Sequence, residues 1–383
     1  MLMFRFLTAG ESHGKGLAVV VEGIPAGLPI SEDYIASDLK RRQGGYGRGA
    51  RMQIERDRAE IISGVRHGLT LGSPISLLIW NRDWENWQEA MSISPIEGEV
   101  ELVTRLRPGH ADLAGVSKYN FDDIRPILER ASARETAARV AGGAVAKRFL
   151  EEFGIEIHSH VIAIGGCQAK TVVPIDWGKV EASSVRCADA EAEEEMVAAI
   201  DAAKKAGDSV GGTFEVVASG MPIGLGSHIQ WDRRLDGQVA QALMSIPAVK
   251  GVEIGAGFGL ADLRGSEAHD VIESGLRRLT NRAGGIEGGM TNGEPIVVRA
   301  ALKPISTIAT PLPSVDLKTG EKVRAHFERA DICVVPAAGV IGEAMLAFVL
   351  AEACLEKFGG DHIEETLRNC RGYISSLKSK GGD

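Results

Sequence analysis

Between Gly342 and Phe358 the chain reads GEAMLAFVLAEACLEKF, and Gly359 follows. These are good helix formers, and glycine past the last turn is a common helix stop. The segment is apolar nearly all round. A helix without a polar face has to be covered on every side, in a core or in a subunit interface.

Working outward, short apolar runs read as strands. They are Leu17 to Val21 (LAVVV), Pro74 to Trp80 (PISLLIW), Ile155 to Ile164, Thr213 to Val217, and Ile296 to Leu302 ahead of Pro304. Four more helices are marked by their ends. Ser31 caps one that runs to about Arg41, and Glu32 and Asp33 suit its N-terminal dipole. Glu135 to Glu152 is alanine-rich and closed by Gly154. Asp189 caps a third, running to Lys205, whose Met196, Val197 and Ile200 form one apolar stripe on a surface helix. Leu235 to Ile246 is stopped by Pro247. Strands and helices mix without βαβ alternation, and there is no repeat of fixed period. With no break in composition, the expectation is an α+β fold in one domain, residues 1–377. The linker-like tail 378–383 is expected to be disordered.

The 383 residues are 44% hydrophobic and 25% charged, ordinary globular usage that excludes a disordered chain. Glycine is the outlier, at 47 residues. Without a G-X-Y period this excludes collagen and points to backbone that turns tightly or approaches something closely. Lys and Arg number 43 against 52 Asp and Glu, a net charge of −9 that argues against general nucleic-acid or membrane-surface binding. No apolar run is read as long enough to span a bilayer, which takes about 18 residues. Residues 1–14 lack a basic region followed by an apolar core, so no signal peptide is expected. Cys167, Cys187, Cys333, Cys354 and Cys370 contain no C-x-x-C and read as reduced, mostly buried thiols of a cytoplasmic protein.

Four polar, glycine-bearing segments carry candidate chemistry. Gly10-Glu-Ser-His-Gly14 matches G-x-S-x-G, the nucleophile elbow of serine hydrolases, with Ser12 as nucleophile. An elbow follows several strands of an established sheet, however, and the adjacent His13 is poorly placed to be its own triad base. Lys40 to Arg51 (KRRQGGYGRGAR) interleaves five cations with four glycines. It reads as an anion-binding loop, an RNA-binding segment spanning Arg41 to Arg51, or a plain solvated loop. Arg105 to Asp112 (RLRPGHAD) holds His110 in a Pro-Gly turn, fit for proton transfer or for a structural role. Arg125, Arg130, Ser132, Arg134 and Glu135 open the alanine-rich helix, where free N–H groups and arginines favour an anion. Ser132 and Glu135 also fit a capping box.

Gly284 to Gly293, Lys303 to Thr307 (KPIST) and Arg329-Ala-Asp331 are each either ligand loops or ordinary turns. His158 and His160 alternate on one strand face and read as surface histidines rather than a metal pair, since no third ligand is near; no metal is expected. Together the segments suit a small ligand with several negative charges and proton transfer beside it. Residue chemistry alone does not name the reaction.

In order along the chain, TAGESHG, RRQGGYGRG, RPGHAD, RASARET, ALMSIPAVKGVEIG, GGIEGGM, KPIST and RADICVVPAAGVIGEAM resemble the chorismate synthase family. The resemblance implies a β-α-β sandwich, with helices between antiparallel sheets, assembled as a homotetramer. It implies 1,4-anti elimination of phosphate from 5-enolpyruvylshikimate 3-phosphate to give chorismate, the last step of the shikimate pathway, dependent on reduced FMN. Arg42, Arg48, Arg107, Arg134 and Arg329 match substrate-binding positions, as a substrate with a phosphate and two carboxylates requires. His13 would protonate the departing phosphate and His110 the reduced flavin, while Asp331, with Ser12 and Ser132, would assist proton removal at substrate C6. FMN contacts would fall on Arg130, Ala131, Ser132, Pro247, Ala248, Gly288, Lys303, Pro304, Ile305, Ser306, Thr307 and Arg329. Pro247 stands where some relatives have an amide, and proline offers only its carbonyl and an apolar ring. Arg42 and Arg48 also match positions assigned to NADPH. Family members differ in whether they reduce their own FMN, and the sequence leaves the source of reduced flavin open.

Overall fold

The computed structural model describes residues 4–49, 56–98, 100–170, 173–274, 277–328 and 331–378. Arg329 lies outside the described residues, as do Ala50, Arg51 and positions 379–383 of the tail.

Nine strands form two antiparallel sheets. The first contains β1 (Arg5–Ala9), β2 (Gly16–Glu22), β3 (Glu60–Ser63) and β4 (Ile75–Trp80) in the order β1-β2-β4-β3. Register pairs Val19 with Leu77 and Val21 with Ile75. Leu17, Val19, Val21, Ile75, Leu77 and Ile79 are therefore buried on one face, while Leu7 (74% exposed) and Trp80 (56%) stand out on the sheet. The second sheet contains β5 (Glu156–Ile164), β6 (Cys167–Gln168), β7 (Gly212–Ser219), β8 (Val249–Ile254) and β9 (Ile296–Leu302), in the order β8-β9-β7-β5-β6.

The helices include α1 (Glu32–Gln43), α2 (Asp112–Tyr119), α3 (Arg125–Arg130), α4 (Thr136–Glu151), α5 (Ala190–Ala206), α6 (Leu235–Met244), α7 (Val335–Phe358) and α8 (Ile363–Lys378). α1, α4, α6 and α7 fill the space between the sheets, whereas α2 and α3 pack on each other around a small separate apolar cluster. α4 lies on the first sheet and against α7, and α7 lies on the second sheet. Glycine sets these close approaches. A Cβ on Gly143 of α4 would stand 2.7 Å from Ala344 Cα of α7, and one on Gly342 would stand 2.6 Å from Phe214 of β7. One apolar cluster runs through sheet, helices and sheet. This is the α+β sandwich expected from the sequence.

Caps fall where expected: the Ser31 side chain accepts from Tyr34 N–H, and Asp189 from Glu191 and Ala192. Four cysteines are buried, Cys167 is half-buried, and all are free thiols. Several expectations need correction. α7 begins at Val335, seven residues early, because proline in a first helical turn forfeits no hydrogen bond. At 24 residues it is apolar and long enough to cross a bilayer, contrary to the reading that no such segment exists; it is instead a core helix buried between layers. α6 ends at Met244, where the chain turns toward Ala248 at φ +70°. Arg125–Arg130 forms its own short helix ahead of α4. Ser132 caps the 3-10 turn Ala133–Glu135, but Glu135 pairs with Arg139 at 2.9 Å and closes no capping box. His160 is no surface histidine: its Nε2 lies 3.1 Å from Glu215 and its side chain is 11% exposed. His158 stacks on Trp177 at 4.8 Å. No cluster of three metal-ligating side chains occurs among the described residues.

Candidate active site

The GESHG loop joins β1 to β2, so strand–turn–strand replaces the strand–turn–helix that a nucleophile elbow requires. Two residues from elsewhere grip its backbone. Glu129 of α3 accepts Ser12 N–H on its main-chain carbonyl (3.1 Å) and His13 N–H on its carboxylate (2.7 Å). The same carboxylate faces His13 Nδ1 at 2.8 Å. Asn81 donates to the carbonyls of Glu11 (3.2 Å), Ser12 (3.2 Å) and Gly14 (2.8 Å). The His13 ring stacks on Trp87 at 4.0 Å. Ser132 Oγ donates to Ser12 Oγ at 3.1 Å, and Arg130 reaches Thr8 and the Gly10 carbonyl.

Arginines line the floor beside this loop. Arg134 makes a two-pronged pair with buried Asp57 (2.6 and 2.7 Å) and reaches Asn81 Oδ1. Arg42 shares Asp57 at 3.4 Å and donates to Thr136 Oγ1 and the Ala133 carbonyl. Burial pushes the Arg42 guanidinium down to about 9; Asp57 opposes this, while Arg134 and Arg48 reinforce it. Arg48 lies 3.2 Å from Asp331 and donates to the Arg42 carbonyl, and Gly49 N–H donates to Asp331. Three of the arginines read as an RNA-binding loop are thus turned inward, Arg41, Arg42 and Arg48. Arg41 binds Glu343, a carboxylate buried in α7.

A second group forms around His110. Asp112 accepts from Arg107 N–H and from its guanidinium at 2.9 Å, and lies 2.6 Å from His110 Nδ1. Burial opposes ionisation of Asp112, but bonds from Arg107 and His110 outweigh it and hold the carboxyl well below its usual range. Arg107 also reaches Thr307 Oγ1 at 3.4 Å. The Lys303 ammonium donates to the Gly109 carbonyl, and Lys303 N–H to the carbonyl of Ala248. Ser306 lies beside Gly109, and the Ile305 carbonyl accepts from Ser209.

Contacts therefore link Ser12, His13, Ser132, Arg134, Arg42, Arg48 and Asp331, and separately Arg107, His110, Lys303, Thr307 and Ala248. Ala131 caps α3 between Arg130 and Ser132. Pro247 and Pro304 adjoin the Ala248–Lys303 bond. Gly288 turns its own hairpin, Ile286–Glu287 with Met290–Thr291. Three residues that hold these groups were missed, Glu129, Asn81 and Asp57, while Asp112 stood inside the quoted RLRPGHAD segment without a role. Glu129 adjoins RASARET, and that adjacency was its signal. Asn81 and Asp57 had none.

A floor of buried guanidiniums, with two histidines each backed by a buried carboxylate, is the lining of an enzyme that acts on a small molecule. The family model for chorismate synthase matches residues 4–355. Over 385 residues the chain is 59% identical to the chorismate synthase of Moorella thermoacetica, covering 98% of this chain and all of that one. It is 58% identical to that of Desulforudis audaxviator, over 98% of this chain and 99% of that one. A crystal structure of a chorismate synthase superimposes with a TM-score of 0.80 at 48% identity, covering 98% and 99% of the two chains. The chain belongs to the chorismate synthase family, lyases of the shikimate pathway that act on a small molecule.

Proposed function

We propose that the elimination of phosphate from 5-enolpyruvylshikimate 3-phosphate is carried out at the paired groups around His13 and His110. The observation that carries this reading is the Arg42–Arg134 pair on the single carboxylate of Asp57. The downward pressure on Arg42 marks a site that gains from an added anion. Arg42, Arg48, Arg107, Arg134 and Arg329 bind the substrate's phosphate and carboxylates. His13 gives a proton to the departing phosphate. Asp331, with Ser12 and Ser132, assists removal of the proton from substrate C6. His110 carries its proton beside Arg107, where an anionic cofactor's charge must be met.

The residues present fit reduced FMN. Ala248 holds a positive φ that a residue with a side chain seldom adopts, and the space where a Gly288 side chain would stand is open. Lys303 supplies a cation. Arg130, Ala131, Ser132, Pro247, Ala248, Gly288, residues 303–307 and Arg329 would hold the cofactor. When bound it supplies electron density to the allylic system as phosphate leaves. NADPH, contacting Arg42 and Arg48, is the proposed reductant. The same reading makes the protein one domain over residues 1–377, cytoplasmic, and without nucleic-acid or membrane partners. Exposed Leu7 and Trp80 on the outer sheet face support a homotetramer.

Anaerobic turnover with FMN tests this, comparing dithionite with NADPH alone. Chorismate forms with dithionite. His13→Ala and His110→Ala each lower kcat by about 10²–10⁴ with the fold intact, and His158→Ala leaves it near wild type. Wild-type turnover by both site variants removes the assignment. Turnover with NADPH alone assigns flavin reduction to this chain, and its failure assigns that step to another protein.

A further inference from the structure

We propose that Glu129 is the positioning residue for His13, keeping one proton on Nδ1 so that the second proton, which only the imidazolium carries, sits on Nε2 and is the one given to the departing phosphate, the neutral ring left behind being the Nδ1–H tautomer. This rests on the proposed role of His13 as the acid.

The argument begins with how much of the loop one residue holds. Glu129 takes three hydrogen bonds from two consecutive residues, Ser12 N–H on its main-chain carbonyl and His13 N–H and Nδ1 on its two carboxylate oxygens. Its side chain is fully buried. A buried carboxylate is costly unless several donors satisfy it. Here the donors are the His13 backbone, the His13 ring, and Arg125 at 3.2 Å. Arg125 is held in turn by Glu328 at 2.7 Å and lies over the Trp87 ring against which His13 stacks. His326 lies 3.4 Å from Glu328. On the other side Asn81 fixes the loop's carbonyls. The ring therefore has a fixed backbone, a fixed stacking partner and a fixed acceptor at one nitrogen.

The proton assignment follows from the chemistry of that acceptor. A carboxylate only accepts, and the His13 backbone N–H only donates. With one oxygen committed to the backbone, the other requires a proton on Nδ1. An amide in the same place cannot satisfy both. Glu129→Gln would give its oxygen to the backbone N–H and turn its NH₂ to the ring, with Arg125 falling back on its shorter bond to Glu328, so Nδ1 must then accept and the proton moves to Nε2.

Long-range 15N–1H spectra of the deuterated, 15N-histidine-labelled full chain, recorded where the ring is neutral, read the tautomer directly. The His13→Ala spectrum identifies the signal. The expected result is Nδ1–H in the wild type and Nε2–H in Glu129→Gln, with kcat lowered by about 10²–10⁴ and KM little changed. An Nε2–H tautomer in the wild type overturns the proposal, and so does a Glu129→Gln variant of wild-type kcat. If that variant does not fold, the wild-type spectrum alone decides. Should His13→Ala keep full activity, the acid role fails, while the tautomer measurement still tests the clamp.

Discussion

Asp57 shows how a residue with no sequence signal comes to hold a site together. Its fully buried carboxylate lies between the Arg134 guanidinium and that of Arg42. Removing one partner of a buried ion pair leaves charge uncompensated, and the typical loss is about 3–5 kcal/mol. Asp57→Ala is therefore expected to lower the urea midpoint sharply, with a loss in that range. Replacing a surface carboxylate such as Glu22 (paired with Arg5 at the edge of β1) should cost under about 1 kcal/mol. Equal losses for the two would mean Asp57 is not the shared counter-ion. The arginines were legible because RRQGGYGRG and RASARET are dense and unusual. Asp57 was not, because a lone aspartate reads alike on a surface and between two buried guanidiniums.

At the scale of elements, the α4–α7 contact is made by small residues. α4 buries Ala137, Ala138, Ala141, Gly142, Gly143 and Ala144, and Gly143 sits against Ala344. Overpacking such a contact costs about 1–3 kcal/mol. Gly143→Ala also improves helix propensity, but only by about 1 kcal/mol, so the clash with the Ala344 backbone prevails. The expected outcome is a lower melting temperature, read by circular dichroism, whereas Gly372→Ala on α8, where a Cβ meets nothing, should raise it slightly. A Gly143→Ala protein more stable than wild type would mean the two helices can separate freely. Both helices were visible in the sequence from composition and caps. Missed were β1, whose burial pattern has no fully buried position, the short or half-exposed strands β3, β6 and β8, the short helix α2, and α8, whose amphipathic sequence lies beyond the buried helix. None of these offers the dense apolar signal that marked α7.

Across the whole molecule, one ionic cluster ties the layers together. Glu343 of α7 is fully buried and receives Arg41 of α1, Lys147 of α4, Arg186, and Ser159 of β5. Burial opposes its ionisation, yet Lys147 and Arg41 hold its carboxyl far below the usual range. Burial likewise opposes Glu328, while bonds from His326 and Arg125 bring it down to about 2 from 4.5. A depressed carboxyl adds stability that is complete above its unfolded pKa and is lost as pH falls through the folded one. Since Asp112 shifts the same way, the denaturation midpoint should fall between about pH 4.5 and 2. A midpoint unchanged on going from neutral pH to pH 3 would contradict this. The sequence by itself determined the helix that must be buried, the caps at Ser31 and Asp189, the five strands with dense apolar runs, and the ordered motifs that mark the family. All of these depend on chemistry within a few residues. Only the tertiary structure decided that Glu129 meets His13 across 116 positions, that Asp57 joins two arginines, and that Glu343 and His160 lie inside. A carboxylate's partner is chosen by the packing of sheets and helices, and nothing local to the carboxylate encodes it.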